Sequence, residues 1–128
     1  MFIRFVGHRI DWSSGRRQGI FHAAGSLAYS RRLTDYDDER LTDIRTWFDV
    51  NLKRPTRFTN AKRHHPRPIA ICWFRADAKE HLTKAREMQA ILDSYDVRIE
   101  MITTRRPGYV VYEDDEQVAA IPFRDTTA

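Results

Sequence analysis

The stretch IAICWFRADAKEHLTKAREMQAILDSYDVRIEMIT, residues 69–103, decides the fold class. It starts with an apolar run at 69–74, which is typical of a central strand covered on both faces. Apolar residues then recur at helical spacing over 82–95, and Asp77 with Glu80 matches a capping box at the start of that helix. The segment VRIEMIT follows directly. A strand, a helix and a strand with short links predict two adjacent parallel strands.

The residues before this stretch predict one strand and two helices. Residues 2–6 are rich in β-branched and aromatic side chains and predict a first strand, whereas 8–19 predict a loop. Helical spacing predicts a first helix at 18–32 and a second helix that Thr34 or Asp35 caps.

The residues after this stretch predict a β-hairpin. The segments YVVYE and QVAAIPF flank the acidic turn 113–116, which is either a solvated tip or an acidic contact for a basic partner. The whole pattern predicts an α+β fold. We expect a mixed β-sheet of about five strands with three helices, in the order β-α-α-β-α-β-β-β, within one domain of residues 1–128.

Composition predicts a globular protein of the cytoplasm. Hydrophobic residues make up 41% of the chain, which is too many for a disordered protein. No apolar run is long enough to span a bilayer, and the N-terminus lacks the apolar core of a signal peptide, so we expect no membrane partner. The single Cys72 lies in the apolar run, which agrees with a core position and a reducing compartment.

The segment Lys53–Pro68, KRPTRFTNAKRHHPRP, is the main clue to a partner. It holds six Lys/Arg and two His but no carboxylate, and its natural complement is nucleic acid or an anionic protein surface. The alternative is a solvated linker whose Lys and Arg stems cover the sheet. The candidate binding residues of this basic stretch are Lys53, Arg54, Arg57, Phe58, Lys62, Arg63, His64, His65 and Arg67.

Two further surfaces are candidates for binding. A Ser-Ser-Gly-Arg-Arg segment before the first helix is either an anion site or, as we favour, an ordinary polar turn with a Ser cap. Its residues are Ser13, Ser14, Gly15, Arg16 and Arg17. Trp12 and Tyr109 are candidates for a protein interface, and the edge of the C-terminal hairpin is a candidate contact for a homodimer.

No catalytic motif is present in the sequence. His8 and Asp11 are conceivable acid-base groups, but the spacing of His and Cys predicts no metal site, and nothing indicates a cofactor. We therefore expect a non-enzymatic binding or regulatory protein that engages nucleic acid or a nucleoprotein. One alternative is a protein-directed inhibitor or immunity-type module of a larger bacterial machine. A metal-dependent or His-based nuclease is a weaker alternative.

Several short motifs resemble those of a family of small single-domain bacterial proteins of unknown function. The resemblance implies a bacterial or bacteriophage setting and assigns no catalytic residue. The motifs are Ile3–Val6, Trp47–Phe48 with Leu52 and Pro55, Trp73–Phe74, Pro107–Asp114 and Gln117–Val118.

Overall fold

The computed structural model describes residues 1–12, 14–55 and 70–128 and confirms an α+β fold. Within these ranges, three helices accompany a six-stranded sheet, and the predicted order holds apart from one additional short strand, β2. The elements are β1 (Phe2–Ile10), β2 (Arg17–Gly19), α1 (Ile20–Tyr29), α2 (Asp35–Asn51), β3 (Ile71–Arg75), α3 (Lys79–Asp93), β4 (Glu100–Thr104), β5 (Tyr109–Glu113) and β6 (Gln117–Ile121).

Strand β1 pairs with β4 along one edge and with β3 and then β2 along the other, while β3 also pairs with β6, and β6 with β5. Every pairing among the described strands is antiparallel. The prediction of adjacent parallel strands in a mixed sheet was therefore wrong. Strands β3 and β4 do run in the same direction, but β1 lies between them and pairs with both. The predicted central position of β3 is confirmed, because β1 and β6 flank it.

The region 8–19 is a β-hairpin and not the predicted loop. Strand β1 continues to Ile10 and pairs with β2 through Val6 with Gly19 and Ile10 with Arg17, across an irregularity in the register. The turn closes through bonds from Asp11 N to Arg16 O at 2.6 Å and from Gly15 N to Asp11 O at 2.9 Å. The sequence did not predict this strand pair because the outer half of the hairpin is polar and lacks the alternation of apolar and polar residues that indicates a strand.

The three helices bury their apolar faces against one face of the sheet. The cluster includes Ile3 and Phe5 of β1 and Phe74 of β3. Trp73 lies on the opposite face, in a second cluster with Ile71 and Val118. This arrangement explains why the apolar run of β3 carries large side chains at successive positions.

The helix cap predicted for α2 is confirmed. The Thr34 hydroxyl accepts a hydrogen bond from Asp37 N at 3.2 Å at the start of α2. Helix α3 instead has Ala78 at its N-cap, with no side-chain cap bond, so the capping box of Asp77 with Glu80 was wrong. Buried His81 adds a cap of another kind, because its Nε2 lies 2.8 Å from the carbonyl oxygen of Asn51 at the end of α2 and donates to it.

The segment before β5 depends on a glycine. Gly108 has a φ of 134°, and a Cβ there would lie 2.1 Å from the carbonyl oxygen of Ile121. The close approach of the β5 start to the end of β6 therefore needs glycine. Among the described residues, no helix is long and apolar enough to cross a membrane.

Candidate nucleic-acid interface

The described part of the basic stretch is its beginning, at Lys53 and Arg54. Gln117 Nε2 donates to the backbone oxygen of Lys53 at 2.5 Å, which holds this point against β6. Arg54 Nη2 lies 3.9 Å from Asp49 Oδ1 of α2, and both side chains are largely exposed. The other predicted binding residues lie outside the described residues, so their role stays a prediction: Arg57, Phe58, Lys62, Arg63, His64, His65 and Arg67.

A second basic surface lies at the opposite end of the sheet, in a cleft between α1, the outer half of β1 and the loop from α3 to β4. The cleft has a volume of about 550 Å³. We call it the basic cleft. Four of its described lining residues are basic or imidazole side chains, and one is a carboxylate. They are His8, Arg9, Arg32 and Arg98, with Asp96 as the carboxylate.

The charges of the basic cleft are largely unpaired. Arg9 and Arg98 are exposed, and neither forms an ion pair with any described residue. Arg32 Nη2 donates to the backbone oxygen of Tyr95 at 3.2 Å, which keeps this guanidinium at the cleft. Exposed arginines without partners keep their hydration and their full charge, so the cleft attracts anions.

Tyr95 fixes the wall of the basic cleft. Its hydroxyl donates to Asp37 Oδ2 at 2.6 Å and accepts from Thr34 N at 3.0 Å. The loop after α3 is thereby tied to the start of α2, and Asp96 turns the chain with a φ of 62°. Sequence reasoning missed this cleft because its cations come from three separate segments. The available signals were the basic residues after α1 and the basic residue just before β4.

The predicted anion-site residues lie in the β1–β2 hairpin, and the structure describes four of the five; Ser13 lies outside the described residues. Ser14 N donates to Asp11 Oδ1 at 3.2 Å, and Arg16 N donates to Ser14 Oγ at 3.1 Å. Gly15 has the positive φ of 69° that this turn requires. These bonds stabilise the turn itself, as the favoured polar-turn reading expects, although no Ser caps α1, whose N-cap is Gly19.

The two arginines of that segment are bound within the protein. Arg16 Nη1 donates to the backbone oxygen of Thr126 at 2.8 Å. Arg17 Nε donates to Gly7 O at 2.8 Å, and its Nη1 forms an ion pair with Glu100 at 2.9 Å. Both guanidiniums therefore join distant parts of the chain, and an anion at this segment would compete with those bonds.

The candidate interface residues differ in exposure. Trp12 is 100% exposed at the turn of the β1–β2 hairpin, beside Ile10 at 57%. Tyr109 is 51% exposed on β5, which pairs with β6 alone among the described strands and so forms an edge of the sheet. A fully exposed tryptophan gains the most from a partner that covers it.

The acidic turn of the second hairpin is built around Asp114. Its Oδ1 accepts from the backbone nitrogens of Glu116 at 2.9 Å and Gln117 at 3.0 Å, and its Oδ2 accepts from the Tyr112 hydroxyl at 2.8 Å. Desolvation opposes ionisation of this carboxyl, but the hydrogen bonds outweigh it and lower the pKa of Asp114. The bond to Asp114 also raises the pKa of Tyr112. The half-buried Asp114 carboxylate therefore stabilises the turn between β5 and β6.

The suggested acid-base residues form no compact constellation in the described structure. Asp11 lies beside His22, with 3.8 Å between Oδ2 and Nδ1, and His8 lies in the basic cleft. Within residues 1–12, 14–55 and 70–128, no group of three His, Cys, Asp or Glu is placed to hold a metal ion.

Cys72 is exposed, which corrects the expectation that it packs in the core. Alternation along β3 puts Cys72 on the same face as Phe74, the face that the helices pack against, but Phe74 is buried there whereas Cys72 is exposed. Desolvation by surrounding protein still raises the pKa of the Cys72 thiol, and the charge of Arg4 opposes that rise.

Comparison of the chain with family models, curated proteins and solved structures finds no match.

Proposed function

We propose that this protein is a non-enzymatic binding or regulatory protein whose ligand is nucleic acid or a nucleoprotein. The observation that carries the proposal is the basic cleft, to which three elements contribute His8, Arg9, Arg32 and Arg98. Cations that neutralise phosphates release counterions and so supply most of the affinity for a nucleic acid. The basic stretch 53–68 adds further phosphate contacts in this proposal.

The binding that we propose tolerates many sequences. No familiar groove-reading motif is present, whereas Trp12 projects fully exposed from the same hairpin that carries His8 and Arg9. An aromatic side chain beside cations suits single strands, because it stacks on any base while the arginines contact the backbone. We further propose a cytoplasmic location and a bacterial setting.

The test is fluorescence anisotropy of labelled single- and double-stranded oligonucleotides at about 50 and about 200 mM salt, with magnesium present so that cleavage is also detected. Three variants probe the surfaces. The cleft variant is Arg9→Gln with Arg98→Gln, and the stretch variant changes Arg57, Lys62, Arg63 and Arg67 to Ala. The matched control is Lys79→Gln with Arg105→Gln, two exposed cations at the other end of α3 and after β4. We expect weaker binding for the first two variants only, and cleavage would instead support a nuclease.

A protein-directed module is the second candidate, and the exposure of Trp12 and Ile10 favours it. Such a module, of inhibitor or immunity type, would bind its partner with little dependence on salt. Absence of oligonucleotide binding at low salt, together with a salt-resistant partner captured by wild type but not by Trp12→Ala, would replace the nucleic-acid proposal with this one.

A further inference from the structure

The sheet has a gap between β1 and β3. In the described chain, β3 pairs with β1 at Phe2 and Ile3, and β2 joins the same edge of β1 from Val6 onward. The other edge belongs to β4, which pairs with β1 from Phe2 to Val6. Arg4 and Phe5 therefore face a space that neither β2 nor β3 fills. A cavity of about 200 Å³ occupies this gap.

Arg4 lines this cavity and is only 8% exposed. Its Nη2 donates to the backbone oxygen of Arg17 at 2.6 Å, but its Nη1 is buried and has no hydrogen-bond partner among the described residues. The same holds for the indole Nε1 of Trp73, which also lines the cavity, and for Nη2 of Arg17. All three atoms are donors. Two of them, Arg4 Nη1 and Trp73 Nε1, belong to residues that line the cavity, and buried donors without acceptors indicate a place for an acceptor.

The charge on Arg4 is poorly compensated. Desolvation lowers the pKa of Arg4 to about 10, well below the usual value of an arginine; Cys72 and Asp11 oppose this shift, while Arg17 and Arg16 add to it. In the described structure no carboxylate lies within ion-pair distance of this guanidinium. A buried cation without a counter-ion is costly to the fold, and a bound anion would remove that cost.

We propose that this cavity binds a small organic anion, a monocarboxylate with an apolar body of about the size of benzoate. The carboxylate would pair with the Arg4 guanidinium, which would rotate toward it because Nη1 exposes almost no surface in the empty cavity, and the apolar body would lie among Ile20, Phe21, Ile71 and Phe74. The size follows from volume, because an apolar cavity of about 150 Å³ holds benzene. The site is separate from the basic cleft and does not depend on the proposed function.

The test is an NMR titration of the ¹⁵N-labelled protein with sodium benzoate, followed through the tryptophan indole signals. Trp73 lies in the cavity wall, whereas Trp12 is fully exposed and serves as an internal control. We expect saturable shifts of the Trp73 signal with benzoate and at least about tenfold weaker binding of benzamide, the neutral analogue of the same shape. Equal binding of the two, or no binding of either, would overturn the proposal and leave a cavity that holds water only.

Two variants locate the site. Arg4→Met removes the charge, and we expect benzoate affinity to fall at least about tenfold. Gly19→Leu narrows the cavity while keeping Arg4, since the nearest neighbour of a Cβ at Gly19 is Arg4 Nη2 at 3.9 Å. The matched control is Arg98→Met, which removes an exposed cation and should bind benzoate like wild type. Unchanged affinity in both cavity variants would contradict the assignment. If either variant fails to fold, the benzoate and benzamide comparison in wild type decides.

Discussion

The basic cleft and the cavity at Arg4 hold their arginines in opposite ways. In the cleft, Arg9 and Arg98 are exposed and without ion pairs among the described residues. In the cavity, Arg4 is 8% exposed, and its Nη1 has no hydrogen-bond partner among the described residues. The first pair costs the fold little, because water solvates both charges. Arg4 has lost that water and, among the described residues, has received one hydrogen bond in return, to the backbone oxygen of Arg17.

The difference separates two kinds of recognition. Hydrated cations act over a distance, add their effects, and lose strength as salt screens them. A desolvated cation acts only on a ligand that enters its cavity, and salt screens it much less. We therefore expect the cleft to suit a large polyanion and the cavity to suit one small anion.

The Asp114 carboxylate is the counterpart of Arg4, because both of its oxygens accept hydrogen bonds whereas Nη1 of Arg4 has no partner among the described residues. Asp114 accepts from Glu116 N, Gln117 N and the Tyr112 hydroxyl. We expect Asp114→Ala to lower the free energy of unfolding by about 2 kcal/mol at neutral pH, because several charged hydrogen bonds are lost. Urea unfolding of wild type and Asp114→Ala measures this difference in the free energy of unfolding. Asp115→Ala is the matched control, since Asp115 is exposed in the same turn and should cost less than about 0.5 kcal/mol.

The contribution of Asp114 also depends on pH. Its pKa is lower in the folded protein than in the unfolded chain, so its stabilisation is present above the unfolded pKa of about 3.9 and is lost as the pH falls through the folded pKa. The stability gap between wild type and Asp114→Ala should therefore narrow from about pH 6 to about pH 3. A gap that stays constant would mean that the carboxylate charge contributes nothing to the turn.

Arg4→Met tests whether the buried charge is a cost to the empty protein. We expect the free energy of unfolding to rise by about 1 kcal/mol, because an apolar side chain of similar length replaces an incompletely paired cation. Arg98→Met should change stability by less than about 0.5 kcal/mol, since that side chain is exposed. Denaturant unfolding of both variants without added anion is the measurement. A loss of about 2 kcal/mol or more in Arg4→Met would show that Arg4 is a structural residue.

Cys72 reports the charge of Arg4 through its reactivity. Desolvation raises the pKa of the thiol and Arg4 lowers it, so removal of Arg4 should raise the pKa further. We expect alkylation by iodoacetamide at about pH 8 to slow severalfold in Arg4→Met relative to wild type, because only the thiolate reacts. Arg98→Met again serves as the control. An equal alkylation rate in all three proteins would remove the electrostatic link between Arg4 and Cys72.

The smallest expected effect concerns the cleft. Arg9→Gln with Arg98→Gln should leave the thermal midpoint close to that of wild type, within the change that about 0.5 kcal/mol produces, because neither side chain has a partner to lose among the described residues. The control variant, Lys79→Gln with Arg105→Gln, should likewise keep a thermal midpoint close to that of wild type. A clear loss of stability confined to the cleft variant would mean that these arginines serve the fold.

The elements of the second half could be predicted from the sequence because each has a strong local signal. The apolar run of β3, the stripe of α3 and the two strands around the acidic turn are all where the pattern indicated. Strand adjacency had no such signal. The burial of β1 from Ile3 to Gly7 shows that it is central, whereas the pattern of β4 is mostly exposed and suits an edge. That contrast agrees with a position of β1 between β3 and β4, but it is a contrast in burial that only the folded structure shows.

The candidate sites were harder to predict because they depend on contacts between distant segments. Arg4 reads as one polar residue in a strand, and only the divergence of β3 from β1 gives it a cavity. Arg9, Arg32 and Arg98 come together through the hairpin and the Tyr95 anchor, neither of which periodicity reveals. Local sequence patterns predict helices and strands, but the charge of a surface depends on which distant segments the fold brings together.

The central claim is that the cleft arginines contact phosphates, and the salt dependence of oligonucleotide binding tests it most directly. The logarithm of the affinity of wild type is measured against the logarithm of salt concentration, alongside the two matched double variants. Each lost phosphate contact reduces the steepness of this negative slope by about 0.7 on a single strand and about 0.9 on a duplex. We predict a slope less steep by about 1.4 to 1.8 for Arg9→Gln with Arg98→Gln and an unchanged slope for Lys79→Gln with Arg105→Gln. Equal slopes for all three proteins would contradict the account.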